Sequence, residues 1–248
     1  MRRARRWLPA GTLVLLVLAA TGMLAQRLSQ PPPPPSPTLP VVPAPPPPSA
    51  ELRYAVVLDA AHGGTNLGAL LTASVDEKAF VLALVNRLHT LLNERGIPVI
   101  LTRDSDVDIS GDLRAESMNR AHAAACLSLH ATSIGNGVHL FTSSLPPSAA
   151  PAGKHNFLPW QTAQSGYITQ SLRLESELDT ALSHAQIPVL LGRTTLMPLE
   201  SATCPAIAVE IAPLNATTPV TDQKYQQQLL NALVAALASW RTDWRMQP

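Results

Sequence analysis

After residue 50 the chain alternates between short apolar runs and longer helical patterns. Six runs of apolar and β-branched residues predict strands, several of them buried on both faces: Tyr54 to Asp59, Ile97 to Thr102, Ala125 to His130, Gly137 to Thr142, Ile187 to Leu191 and Pro205 to Ile211. Four longer segments predict helices: Asp76 to Arg95, Asp112 to Ala124, Gln161 to His184 and Thr221 to Arg241. This alternation predicts an α/β fold, a mostly parallel twisted sheet with helices on both faces.

The first fifty residues follow a different pattern. Met1 to Arg6 is a basic cluster, and Trp7 to Ala25 is an uncharged, mostly apolar run of nineteen residues, just long enough to span a bilayer. Because basic flanks stay on the cytoplasmic side, residues 1–28 are predicted to be a signal-anchor or transmembrane segment, with the rest of the chain outside. Small residues at Ala20 to Gly22 leave cleavage and secretion as the alternative.

A proline-rich linker is predicted to separate this anchor helix from a single domain. Residues 29–50 favour polyproline II, which would hold the following domain about 60 Å from the membrane. Residues 51–248 are enough for one domain with a sizeable core. An exported domain permits disulfides, but Cys126 and Cys204 fall in or beside predicted buried strands, so a bridge and two inert thiols both stay open.

The charge balance excludes one class of function. Charged residues make up 14% of the chain, and the formal net charge is +1. Nucleic-acid-binding domains carry clustered lysines and arginines that neutralise phosphates. We therefore expect no nucleic-acid partner.

Four polar residues are predicted to meet at one rim of the sheet. His62 follows the first strand, His130 ends the third, and Glu210 lies near the end of the sixth. Glu77 begins the helix that follows the first strand, so it should emerge on the same rim, where α/β folds bind ligands. Two imidazoles and one carboxylate leave a fourth position for water, as catalytic zinc sites do, and a second carboxylate can accept the proton of that water.

Each of these residues also has an ordinary structural interpretation. Ser74 to Glu77 fits a helix-capping box with Ser74 as the N-cap, so the pattern favours capping and metal binding equally for Glu77. His62 could merely form a hydrogen bond within its turn, and His130 could be a core histidine whose hydrogen bonds are satisfied. Glu210 could be a buried acid paired with another side chain. Convergence of two histidines and two glutamates favours the metal site. No role is assigned to the other histidines: His89, His122, His139, His155 and His184.

The order and spacing of six segments resemble a known family. The segments are AHGG, DEKAFVLAL, LTRDSD, RAESMN, LSLHA and PAIAVEI, between residues 61 and 211. They resemble the zinc-dependent N-acetylmuramoyl-L-alanine amidases, the amidase_3 group of cell-wall hydrolases. The resemblance implies one Zn²⁺ ion held by His62, Glu77 and His130, with Glu210 as the catalytic general base. It also aligns Arg103 and Arg114 with arginines of the family, which we interpret as scaffold or rim residues without a chemical role.

The activity implied by this resemblance is hydrolysis of the amide between N-acetylmuramic acid and L-alanine of the peptidoglycan stem peptide. Peptidoglycan and, through the N-terminal segment, the membrane are then the expected partners, while a protein activator stays unknown. The expected location is the inner membrane, with the catalytic domain in the periplasm or cell-wall space, or secretion there after cleavage.

Five residues depart from the usual motifs of that family. Ala61 replaces a glycine, Asn66 an aspartate, Thr132 an asparagine, and Ile211 with Ala212 a Gly-Phe pair. These changes keep a second hypothesis open: a degenerate, non-catalytic amidase-like domain that binds zinc or wall polymer as a scaffold or regulator. A third keeps the metal chemistry but acts on another exported amide or on a free peptide.

Overall fold

The computed structural model describes residues 54–148 and 159–245. Within these residues the chain forms eight strands: β1 Val56–Ala60, β2 Leu70–Thr72, β3 Val75–Asp76, β4 Val99–Leu101, β5 Ala125–Ala131, β6 Val138–Ser143, β7 Val189–Thr194 and β8 Ala206–Ile211. The α-helices are α1 Glu77–Glu94, α2 Gly111–Ala121, α3 Ile168–His184 and α4 Gln223–Arg245, and 3-10 turns span Trp160–Gly166 and Leu199–Ser201. The predicted anchor helix and proline-rich linker lie outside the described residues. Among the helices that are described, none has the length and apolar content to cross a membrane.

Six strands form one sheet in the order β4-β1-β5-β8-β6-β7. The first four of these strands are mutually parallel, whereas β6 pairs antiparallel with β8 and parallel with β7. The α/β prediction is therefore confirmed, with a sheet that is mostly parallel. Strand β6 runs opposite to β5 because only residues 132–137 connect the two strands, and so short a connection cannot make the crossover that a strand parallel to β5 would require.

The two faces of the sheet are covered by different elements. Leu58, Leu127 and Val209 lie on the face that packs against α1, α3 and α4, in the larger core cluster. The opposite face carries Val57 and Cys126 and packs against α2 and the turn Leu199–Ser201. Helices on both faces were predicted, and alternate residues along each strand supply the two cores.

Several elements differ from the sequence prediction. The second helix ends at Ala121 rather than at Ala124, because His122 adopts a left-handed C-cap with φ 46°. The helix predicted from Gln161 is split into a 3-10 turn and α3, with Thr162 outside helical φ/ψ. The short hairpin of β2 and β3 was not predicted, since its strands are only three and two residues long.

The two cysteines form a disulfide. Cys126 in β5 and Cys204 before β8 are bonded and fully buried, which settles the alternative that the sequence left open. They lie 78 residues apart in the chain. A cross-link of this kind restricts the unfolded chain and typically contributes about 2–4 kcal/mol to the free energy of unfolding.

A buried acid on α3 makes stability depend on pH. Burial raises the pKa of Glu175 to about 7, with Asp179 adding to the shift and Arg193 opposing it. Between an ordinary pKa of 4.5 and this value, the unfolded chain releases a proton that the folded chain retains. Ionisation therefore favours unfolding, and the free energy of unfolding should fall as pH rises through this window.

Replacing Glu175 by glutamine is expected to remove that pH dependence. The Glu175→Gln variant should unfold with a free energy about 2 kcal/mol higher than wild type at pH 8 and close to wild type at pH 4. Urea unfolding at the two pH values measures this difference. Glu177→Gln, on the same helix but partly exposed, serves as the control. An equal effect of Glu175→Gln at both pH values would contradict the prediction.

Candidate metal centre

Three of the four predicted site residues converge at the rim where the parallel strands end. His62 follows β1, His130 is the penultimate residue of β5, and Glu77 is the first residue of α1. Glu77 Oε2 lies 3.1 Å from His62 Nε2, and Glu77 Oε1 lies 3.1 Å from His130 Nδ1. One donor atom from each of the three residues lies within 4.8 Å of the others, so together they could hold a metal ion.

Glu77 is held as a buried anion. Its carboxylate accepts hydrogen bonds from the backbone N–H groups of Ala69, at 2.8 Å, and Ala131, at 3.1 Å. Burial opposes ionisation, but the hydrogen bonds from His130 and these two amides outweigh it and hold the pKa of Glu77 below its ordinary value. A metal ligand must be deprotonated, so this environment suits ligation.

The capping-box interpretation of Glu77 is wrong. Asp76, not Ser74, is the N-cap of α1, and its side chain accepts a hydrogen bond from Ala79 N at 2.9 Å. The reason is the hairpin, which takes Val75 and Asp76 into β3 and so delays the start of the helix. The side chain of Glu77 is therefore free of a capping role and points to the two histidines.

Two arginines hold the loop that carries His62 through hydrogen bonds to its backbone. Arg103 donates to the carbonyl oxygens of Ala60 and Ala61, and Arg114 donates to those of Ala60 and His62. Both arginines are buried. His62 has φ 60°, a left-handed conformation that is uncommon outside glycine and persists where surrounding contacts enforce it. The arginines thus belong to the scaffold, which is one of the two interpretations that the sequence left open.

Asp59 completes this scaffold and was missed by sequence reasoning. Its buried carboxylate accepts hydrogen bonds from Arg114 at 2.6 Å, Ser128 at 2.6 Å and Thr102 at 2.5 Å. The available signal was the one used for Glu210, namely an acid on an otherwise apolar strand that requires a partner.

Asn66 orients His62. Asn66 Oδ1 lies 3.0 Å from His62 Nδ1 and also accepts a hydrogen bond from Gly68 N at 3.1 Å. This contact leaves His62 Nε2 to face Glu77. A Cβ atom at Gly68 would lie 2.6 Å from Glu77 Oε2 and 2.7 Å from His62 Cδ2, so only glycine leaves the space that the two donors occupy.

Ala61 and Thr132, which depart from the family motifs, also fit their local backbone. Within the described residues, positive φ outside glycine occurs at His62, His122 and Gln186, so Ala61 does not occupy a conformation that requires glycine. Thr132 donates its backbone N–H to the carbonyl of Ile211, and its hydroxyl accepts from Ile134 N. The threonine thereby starts the turn from β5 to β6.

Replacing Asn66 by alanine is expected to weaken zinc binding about tenfold or more, because His62 loses the acceptor that orients its ring. Competition with a chromogenic zinc chelator measures the affinity. The control is Asn93→Ala, an exposed asparagine near the end of α1. An unchanged zinc affinity in Asn66→Ala would show that the scaffold alone orients His62.

Glu210 lies beside this group but bonds elsewhere. On β8 it is in register with His130 of β5 on one side and His139 of β6 on the other. Its Oε2 lies 2.7 Å from His139 Nδ1, and the Glu210 side chain is 34% exposed. Sequence reasoning assigned no role to His139, since the pairing depends on the reversed direction of β6. The only local signal was a polar residue within an apolar strand.

A cleft of about 260 Å³ opens next to the histidines. His62, His130 and Asn66 line it together with the apolar side chains of Leu196 and Met197. A substrate group could therefore reach the donor atoms from solvent. The fold and this site define a class: α/β proteins with a candidate single-metal hydrolase centre at the carboxyl ends of the sheet strands.

The comparisons with known proteins identify the family within that class. The family model of the N-acetylmuramoyl-L-alanine amidases, Amidase_3, matches residues 56–239. The chain therefore belongs to the Amidase_3 family.

The individual relatives are similar over shorter stretches. N-acetylmuramoyl-L-alanine amidase AmiA of Escherichia coli is 36% identical over 81 residues, which are 33% of this chain and 28% of AmiA. The endolysin of Bacillus phage SPP1 is 39% identical over 89 residues, 35% of this chain and 32% of the endolysin. The matches thus span about a third or less of these relatives.

Solved structures agree on the fold. The N-acetylmuramyl-L-alanine amidase Ami1 from Mycobacterium smegmatis superposes with a TM-score of 0.61 at 21% identity, covering 77% of this chain and 97% of Ami1. At that level of identity the likeness concerns the fold alone.

Proposed function

We propose that the domain is a zinc-dependent peptidoglycan hydrolase that cleaves the amide between N-acetylmuramic acid and L-alanine of the stem peptide. The observation that carries this proposal is the convergence of His62, Glu77 and His130 on one point, with Glu210 beside them. Membership of the amidase family supports the substrate and the bond. The relatives named N-acetylmuramoyl-L-alanine amidase support the same assignment.

The donor set fits a single zinc ion. Two imidazole nitrogens and one carboxylate are the ligands of many catalytic zinc sites, and Gly68 leaves room for the donors to meet. His62, Glu77 and His130 would hold the ion. When bound, zinc polarises a carbonyl and brings the pKa of water near neutrality.

The remaining steps belong to the protein. Glu210 accepts a proton from the attacking water and later gives a proton to the leaving nitrogen. The amide bond breaks, the lactyl group keeps a carboxylate, and the stem peptide leaves with a free L-alanine amine. Asn66 and the buried arginines hold His62 in place while this occurs. The partial exposure of Glu210 supports access of water and substrate to its carboxylate.

No observation favours the non-catalytic alternative. That hypothesis depended on the departures from the family motifs. Asn66 still provides an acceptor to His62, Ala61 needs no glycine, and Thr132 keeps the turn to β6. These contacts support an intact site.

We further propose that the domain works outside the cytoplasmic membrane, attached through residues 1–28 or released after cleavage. The basic cluster and the apolar run of the sequence support this location. The buried disulfide also suits an oxidising compartment.

Product analysis tests the activity directly. The full chain, purified in detergent and loaded with zinc, is incubated with purified wall sacculi, and the soluble products are identified by mass spectrometry. We expect stem peptides with a free L-alanine amine, their loss after chelation, and their return when zinc is added back. Cleavage at a glycosidic or peptide-internal bond, or no release by the folded, zinc-loaded chain, would overturn the proposal.

A further inference from the structure

Three polar side chains lie in one row across the sheet. Glu210 in β8 pairs in register with His130 across the parallel β5 and with His139 across the antiparallel β6. Residues that are direct partners on neighbouring strands point to the same face of a sheet. His139 is therefore a neighbour of the proposed base on the side away from the candidate metal centre.

His139 is closely surrounded. A Cβ atom at Gly135 would lie 2.7 Å from His139 Cε1 and 3.1 Å from Nε2, so the chain at Gly135 lies directly against the imidazole. The ring of Phe141 meets the imidazole edge-on at 6.3 Å between centroids. The His139 side chain is 14% exposed, less than half the exposure of Glu210. Packing thus restricts the direction in which Nδ1 points.

That direction is toward the carboxylate of Glu210. Nδ1 and Oε2 are 2.7 Å apart, a distance typical of a charge-assisted hydrogen bond. A carboxylate bonded through one oxygen and held in a fixed plane presents its other oxygen in a defined direction. General bases need such placement, because a misplacement of 1 Å can lower the rate about a hundredfold.

We propose that His139 is a positioning residue: it donates a hydrogen bond from Nδ1 to Glu210 Oε2 and so orients the second carboxylate oxygen for proton transfer from the attacking water of the proposed reaction. This inference rests on the proposed function, in which Glu210 is the base. It assigns to the side chain of His139 an effect on turnover that a purely structural pair would not have.

Two substitutions separate orientation from packing. His139→Asn places an amide N–H near the position of Nδ1 and keeps the donor, whereas His139→Leu fills the space without one. We expect His139→Leu to lower kcat about ten- to a hundredfold, with KM within about twofold and zinc content unchanged. His139→Asn should stay within about threefold of wild type. His184→Leu, an exposed histidine at the end of α3, is the matched control.

The experiment measures kcat and KM of the full chain on a soluble muramoyl peptide, with zinc content and melting temperature for each variant. It also combines His139→Leu with Glu210→Gln, where we expect no further loss of kcat because the oriented group is gone. Three results would overturn the role of His139. They are an unchanged kcat in His139→Leu, an equal loss in His139→Asn, and a full additional loss in the double variant.

Failure of the proposed function gives a different result. A wild-type chain that is folded and zinc-loaded but cleaves no muramoyl amide overturns the amidase assignment, and the role of His139 with it. An active wild type with an unaffected His139→Leu overturns the role of His139 alone.

Discussion

Replacing Glu77 by glutamine is expected to remove bound zinc and to lower the rate of amide hydrolysis about a thousandfold or more. Glutamine has the same shape and can still accept a hydrogen bond from Ala69 or Ala131. However, it lacks the negative charge that two imidazoles and a divalent cation require. Metal ions typically contribute several kcal/mol of transition-state stabilisation, which corresponds to this loss in rate.

The zinc content of the purified variant, measured by inductively coupled plasma mass spectrometry, is the first test. Wild type should carry about one ion per chain, and Glu77→Gln well under a tenth of that after dialysis. Glu94→Gln, an exposed glutamate at the end of the same helix, should match wild type. If Glu77→Gln retained stoichiometric zinc, the ion would be held by residues other than Glu77.

Replacing Glu210 by glutamine is expected to lower the activity without removing zinc. Zinc binding should be unchanged, because Glu210 lies outside the group of His62, Glu77 and His130. The value of kcat/KM should fall by about two to four orders of magnitude, the usual contribution of a general base. Glutamine can still accept a hydrogen bond from His139, so the melting temperature should change little.

This prediction is tested by measuring kcat/KM on a soluble muramoyl peptide and the zinc content of the same sample. Glu116→Gln on α2 serves as the control for loss of one negative charge, because its carboxylate pairs with Arg120 on the same helix. Activity of Glu210→Gln within about threefold of wild type would remove Glu210 from the mechanism. Loss of zinc together with activity would instead make it part of the metal site.

Local patterns were enough to predict the six strands of the main sheet and most of the helices. The strands are short apolar runs bounded by polar or glycine-containing turns, and this signal does not depend on distant contacts. The same patterns placed His62, Glu77 and His130 at one rim, because parallel strands in α/β folds end on the same edge. The convergence of these three residues within 4.8 Å therefore follows from element order.

Pairing between strands decided the rest, in one case within a short hairpin and in the other between distant segments. The hairpin of β2 and β3 moved the N-cap from Ser74 to Asp76, and a two-residue strand has too little periodicity to be predicted. The bond between Cys126 and Cys204 depends on the side-by-side pairing of β5 and β8.

The pair of Glu210 and His139 shows the same division between what local patterns predict and what strand pairing decides. The sequence by itself indicated an acid on an apolar strand that required either a function or a partner. The structure supplied His139, which reaches Glu210 only because β6 is antiparallel to β8. Local patterns determine which residues enter strands and helices, whereas the pairing of strands determines which side chains meet across them.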